Sequence, residues 1–356
     1  GLATRRLRAD RAAQRARGVE RGGAVEPRLD RRPPRARPRD AEPSVTCHAE
    51  LERGARRARA ARDRPPRRVE RDARLTGGEL CAHARREPRL EPCAGSLDGD
   101  RPHAATLYCE AVNAHATRLR EQGYSVLEGF ADAAAVATLR EAVESLVAEL
   151  APPRLYASPT EVLSDGVAVT STGLAISRLL SRRPRLAPLV LNATLADVMR
   201  ATLGDDAVCE LAGAVVSDAT RPFFLWHTHI DGEDEGERVR RGAWPPIGEA
   251  LRVLTLLYLQ DLDERTGPLY VLPRRVGDPT PPPHDLSLRA WPGMVELRPR
   301  AGTLVALEQC TWHAAASLRG PGLRSFVGCY FAAARTPRPA WADAELAATP
   351  LAVLCP

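Results

Sequence analysis

Lysine is absent from this 356-residue chain, so all 51 basic side chains are arginine. An all-Arg basic set reads as a coding bias rather than a selected surface. Phe, Trp, Tyr, Ile and Met are absent before Tyr108. A segment so poor in large apolar groups cannot bury enough surface to offset its ordering entropy. Residues 1–104 are therefore expected to form a disordered, Arg-rich N-terminal segment. Charge follows the same division. Residues 1–100 carry 26 Arg against 16 acidic groups, a net of +10, whereas residues 101–356 carry 25 against 29, a net of −4. Runs such as "RRPPRARPR" (31–39) could attract nucleic acid. However, acids are interspersed, no aromatic is present to stack on bases, and no nucleic-acid motif appears, so no such partner is expected.

Other absences narrow the class further. No apolar run reaches the roughly 18 residues of a membrane span, so no membrane partner is expected. The N-terminal segment is too acidic for a transit peptide, and the final Leu354, Cys355 and Pro356 are no peroxisomal address. The eight Cys form no C-x-x-C pair, and no secretory signal is present. They read as reduced thiols of a cytoplasmic protein. Cys47, His48, Cys81, His83 and Cys93 match no familiar zinc spacing. Neither a G-x-G-x-x-G nor a GxxxxGK[ST] phosphate loop occurs, and strands do not alternate with helices as in a nucleotide-binding sheet.

What is present begins with "GYSVLEGF" (123–130), a short strand by its alternation. Asp132 then caps a helix in which Val136, Leu139, Val143, Leu146, Val147 and Leu150 recur at helical spacing, ended by Pro152–Pro153. Residues 186–204 read as one or two more helices closed by Gly204. From 207 the texture is strands, at 207–217, 222–231, 250–262, 267–273, 295–309 (two strands turning at Ala301–Gly302) and 322–334. Helices followed by seven or eight short strands predict an α+β domain with a mainly β, jelly-roll core over residues 105–340, then a tail at 341–356.

One stretch carries chemistry. "LWHTHID" (225–231) places His229 and Asp231 two apart, on one face of a strand. An imidazole and a carboxylate so placed can take adjacent positions on a metal. A third ligand must come from His284, in a Pro-rich loop, or His313, at the end of a predicted strand, and the strand favours His313. Two His and one carboxylate form the facial triad of non-haem Fe(II) oxygenases. Arg324, eleven residues past His313, lies among apolar neighbours and needs an anion. A keto acid chelating iron at one end presents a far carboxylate that an Arg fork suits.

These segments resemble the phytanoyl-CoA dioxygenase family of Fe(II)/2-oxoglutarate-dependent oxygenases. "GYSVLEGFADAAAVATLREAVESL" looks like the opening strand and helix, "LWHTHID" the H-x-D strand, "LYLQDLDERTGPLYVLP" the acidic turn and Val-x-Pro segment. "GTLVALEQCTWHAAA" looks like the distal-His strand and "LRSFVGCYF" the 2-oxoglutarate-Arg strand. The resemblance covers roughly residues 120–334. It implies a double-stranded β-helix, a jelly-roll or cupin-like barrel with flanking N-terminal helices. It implies iron held by His229, Asp231 and His313, and 2-oxoglutarate held by Arg324. It further implies O2 as co-substrate and hydroxylation of an unactivated C–H in an acyl thioester, natural product or amino-acid derivative, with release of succinate and CO2. A monomer or weak homodimer is expected.

Two departures stand out. The family often reads Trp-His-x-Asp, and alignment on Trp226 would pair His227 with His229 and lose the carboxylate. Alignment on Asp231 keeps all three ligand types and makes His227 and Trp226 neighbours of the metal or substrate. After Pro273 the family continues Gly-Ser-His, where this chain has Arg274–Arg275–Val276. The insertion at 231–248 reads as a lid or substrate loop, with Arg238, Arg240, Arg241 and Trp244 available to an anionic or aromatic substrate. The alternative to an enzyme is a jelly-roll binding module with a decayed or different metal site.

Overall fold

The computed structural model describes residues 102–230 and 242–355. The expectation of disorder over residues 1–104, and the Cys/His set at 47–93, fall almost entirely outside them. The described chain opens with helix α1 (Pro102–Gln122), which the sequence reading did not assign. Its buried face is Val112, Ala116 and Leu119, a stripe at helical spacing weakened by a central alanine.

The two longer helices that follow form where expected, whereas the short helices at Leu179–Arg182, Ala344–Ala348 and Leu351–Leu354 were not foreseen. The Asp132 carboxylate accepts the Ala135 N–H at 2.8 Å and starts α2 (Ala133–Leu150), which buries Val136, Leu139, Val143 and Leu146. The Asn192 side chain accepts from Leu195 at 3.0 Å to start α3 (Ala193–Leu203), which Gly204 ends. Two short helical pieces, Pro184–Leu186 and Ala187–Val190, precede it.

Twelve strands occur among the described residues: β1 (Tyr124–Leu127), β2 (Glu161–Ser164), β3 (Val167–Val169), β4 (Leu174–Ile176), β5 (Val208–Ser217), β6 (Phe224–His227), β7 (Arg252–Tyr258), β8 (Leu269–Val271), β9 (Val295–Leu297), β10 (Leu304–Glu308), β11 (His313–Ala315) and β12 (Arg324–Ala332). The larger sheet runs β1-β10-β7-β12-β5-β4-β3-β2 and the smaller β6-β11-β8-β9, with antiparallel pairing throughout. From β5 to β8 successive strands alternate between the sheets, and from β9 to β12 they do so again. That is the jelly roll, or double-stranded β-helix. Strands β2–β4 extend the larger sheet and were not foreseen. Their signal was present, since Asp165–Gly166 between β2 and β3 is a hairpin turn pair, with Gly166 at φ +69°.

Residues 295–309 do form two strands, but these do not pair with each other. β9 pairs with β8 in the smaller sheet, and β10 pairs with β1 and β7 in the larger. The turn therefore carries the chain from one sheet to the other. Gly302 sits in it at φ +84°, and an added Cβ would collide with the Ala131 carbonyl oxygen. Gly302→Ala is expected to lower stability by about 2 kcal/mol or more, combining left-handed strain with the clash. Urea unfolding followed by circular dichroism measures it, and an unchanged midpoint would contradict this account.

The helices cover the outer face of the larger sheet, where Val253, Leu257, Val327 and Phe331 join the main core with Leu139 and Leu195. The C-terminal residues return to this body. Asp343 caps the short helix α4 (Ala344–Ala348), which packs on β5, and α5 (Leu351–Leu354) packs on α3. No described helix is long and apolar enough to cross a membrane by itself.

Candidate metal centre and its cavity

The inner face of the larger sheet and the smaller sheet enclose a cavity of about 180 Å³. Strand alternation decides what lines it. β12 contributes Arg324, Phe326, Gly328 and Tyr330, and β7 contributes Leu254, Leu256 and Tyr258. The smaller sheet contributes Phe224, His227, Leu269, His313 and Ala315. Phe224 and His227 are three residues apart yet face the same way. The register of β6 on β11 slips between His313↔His227 and Ala315↔Phe224, a bulge that re-aims the strand.

Three imidazoles converge on this cavity. His227, His229 and His313 place one ring nitrogen each within 4.8 Å of the others. His227 and His313 are direct register partners, with ring centroids 4.0 Å apart. In each, Nδ1 lies 2.9 Å from the backbone carbonyl two residues back, Leu225 O and Thr311 O respectively. A carbonyl only accepts, so each Nδ1 carries a proton, which in a neutral ring makes Nε2 the lone-pair nitrogen. Burial pushes the His313 pKa down to about 4, against the Thr311 bond that raises it, so this ring is neutral at pH 7.

His229 is positioned differently from expectation. The strand predicted over 222–231 ends at His227, so alternation does not orient His229. Instead its backbone N–H donates to Gln309 O at 2.8 Å, and its Nδ1 meets the Tyr330 hydroxyl at 3.2 Å. Its Nε2 is 3.2 Å from His313 Nε2. Without a cation, two such nitrogens can approach only by sharing a proton. A divalent ion of borderline hardness fits the same donors. Asp231, the carboxylate expected in this site, lies outside the described residues, as do Arg238, Arg240 and Arg241.

Beyond the imidazoles the cavity turns cationic. Arg324 is buried, with its Nη1 donating to Ala316 O at 3.3 Å and its Nε without a partner. Its guanidinium carbon lies 5.7 Å from the Tyr258 ring centroid. Beside it is a second buried arginine that the sequence reading missed. Arg221 donates to Pro222 O at 3.0 Å and Ala316 O at 2.6 Å. Burial, then the like charge of Arg324, pushes its pKa down to about 9. Neither guanidinium has an acidic partner among the described residues. Two unneutralised cations in one cavity call for an anion. The signal for Arg221 was faint: one Arg in "DATRPFF", ahead of an apolar strand.

Other predicted neighbours fall elsewhere. Trp226 points away from the cavity and stacks on Trp291, centroids 4.3 Å apart, in an aromatic cluster with Trp312. Trp244 packs against Trp312 in the same cluster, at 5.6 Å. His284 lies on the edge of Trp291. Arg274 is turned inward, where it bonds the buried Glu308 carboxylate at 3.0 Å. The cavity gains Trp341 from the C-terminal segment, tilted on Tyr330 at 4.9 Å.

Residues 119–326, more than half of the chain, match the family model described as phytanoyl-CoA dioxygenase (PhyH). The chain belongs to the phytanoyl-CoA dioxygenase family. This family comprises Fe(II)- and 2-oxoglutarate-dependent oxygenases, and the jelly roll and histidine cluster accord with it. Among solved structures the chain is similar to the non-heme alpha ketoglutarate dependent epimerase SnoN from nogalamycin biosynthesis. Identity is 17%, over 67% of this chain and 87% of that one, with a TM-score of 0.48. It is similar to EctD from S. alaskensis in its apoform, with 22% identity over 71% and 85% of the two chains and a TM-score of 0.45. AviO1 from Streptomyces viridochromogenes Tue57 shows 18% identity over 63% and 96%, with a TM-score of 0.45. No curated protein sequence matches significantly.

Proposed function

We propose that this chain is an Fe(II)- and 2-oxoglutarate-dependent hydroxylase of a small molecule. The observation that carries the reading is one cavity holding both a convergent imidazole set and two arginines that have no acidic partner among the described residues. His229 and His313 would hold the metal, with a third ligand beside them. When bound, the metal and 2-oxoglutarate supply the oxidation: O2 is reduced, the keto acid becomes succinate and CO2, and one oxygen atom enters the substrate as a hydroxyl.

The protein's own residues orient and exclude. Arg324 offers its open fork to the far carboxylate of the keto acid, and Arg221 adds a second positive charge beside it. The Tyr258 ring lines the cavity beside the Arg324 guanidinium. Leu254, Leu256 and Phe326 keep the floor apolar, so that water is displaced when substrate enters. On the other side Leu211, Ile176 and Trp341 present an apolar wall, which suits an uncharged, hydrophobic portion of substrate.

Anaerobic addition of Fe(II) and then 2-oxoglutarate to the full chain tests this. A chelated keto acid is expected to give a weak visible charge-transfer band, and admission of O2 to give succinate. A folded chain that gives neither would instead be a jelly-roll binding module.

A further inference from the structure

We propose that the metal is held by three histidines, His227, His229 and His313, with an imidazole where a facial triad has its carboxylate. This deepens the oxygenase reading and rests on it. Three observations support it. First, His227 stands directly across from His313 in the β6–β11 register, at the cavity wall. Second, the two rings are set by one device. Each anchors Nδ1 on the carbonyl two residues back in its own chain, at 2.9 Å in both, so that Nε2 is the ligand atom of the neutral ring. That is the arrangement by which protein imidazoles are oriented toward metals. Third, β6 ends at His227, and the Gln309 carbonyl then turns the chain so that His229 reaches the same point from outside the strand. Alignment on Trp226 gives the matching sequence picture: in Trp-His-x-His, His229 occupies the place of the family's Asp.

The charge balance differs from that of a two-His, one-carboxylate site. Neutral imidazoles leave the metal its full 2+ charge, in a cavity that already holds Arg221 and Arg324. A dianionic keto acid would then relieve repulsion among all three cations. Metal and 2-oxoglutarate should therefore strengthen each other's binding, reciprocally. An all-nitrogen set should also favour Co(II) and Ni(II) over Mn(II) more than a carboxylate-containing set does.

The test is metal binding by the metal-free full chain. Co(II) is titrated alone and with 2-oxoglutarate, and bound Cu(II) is examined by electron paramagnetic resonance, whose nitrogen splittings count imidazoles. The wild type is expected to show three nitrogens. His227→Ala should show two and bind Co(II) more weakly by about tenfold or more, the least that losing even an outer partner costs at such sites. Added free imidazole should restore part of that affinity, which it would not do for a merely structural role. Asp231→Ala should stay within about threefold of wild type and keep three nitrogens. Wild-type affinity and nitrogen count in His227→Ala would overturn the proposal. So would a tenfold loss in Asp231→Ala, while leaving the oxygenase reading standing. A wild type that binds no Co(II) would overturn both.

Discussion

Glu210→Ala is expected to destabilise the fold by about 3–5 kcal/mol, the range for breaking a buried ion pair from one side. Glu210 is the extra residue of the bulge in β5, between Tyr330↔Leu211 and Phe331↔Cys209. It is fully buried and accepts from Arg252 Nε at 2.6 Å and Nη2 at 3.1 Å. Arg252 lies on β7, on the far side of β12 from β5, so the pair ties together the two strands flanking the Arg324 strand. Removal of the carboxylate leaves a guanidinium in the interior without its anion. Much of the loss is that uncompensated buried charge, not the attraction itself. Glu210→Leu combined with Arg252→Met should therefore recover most of the stability, since apolar replacements of both partners are often neutral. Guanidinium chloride unfolding of the two variants separates these effects. A loss below about 1 kcal/mol in Glu210→Ala would mean that the guanidinium finds other solvation.

The sequence made some of this visible and hid the rest for identifiable reasons. α2 and α3 were legible because each carries a side-chain cap and a continuous apolar stripe. α1 was not, because its stripe has an alanine at the centre and only two larger residues beside it. The strands that build the barrel alternate cleanly, and the same alternation would have put Tyr258 and Tyr330 on the cavity face with Arg324. The β6 bulge broke the rule. Strand periodicity pairs His229 with Asp231, but the strand stops two residues short of His229. The slip against β11 places His227 opposite His313 instead. A register shift depends on the partner strand, here some 90 residues distant, and no local pattern encodes it. Arg221 was hidden for a related reason. A buried cation looks like a surface cation until the fold shows its burial and, among the described residues, no acid facing it.

Arg324→Ala is expected to weaken 2-oxoglutarate binding by about 2–5 kcal/mol, the cost of removing one member of a buried charge pair. That corresponds to roughly 30-fold up to several thousand-fold in Kd. The geometry explains the magnitude. The guanidinium is buried, its Nε is unmatched, and the Tyr258 ring holds it from one side. Calorimetric titration of the Co(II)-loaded protein measures the effect. Two controls tie it to the far carboxylate. Pyruvate has the same chelating end and no distal carboxylate, so its affinity should change little, and the preference for 2-oxoglutarate over pyruvate should collapse. Co(II) affinity without keto acid should hold or improve, because a like charge has left the cavity. General damage to the fold would lower all three affinities together. Arg324→Lys adds a further gradation: it keeps the charge and loses the fork, so its affinity should fall between wild type and alanine. If Arg324→Ala bound 2-oxoglutarate as the wild type does, Arg221 would be the anchoring cation, and Arg221→Ala would then carry the loss.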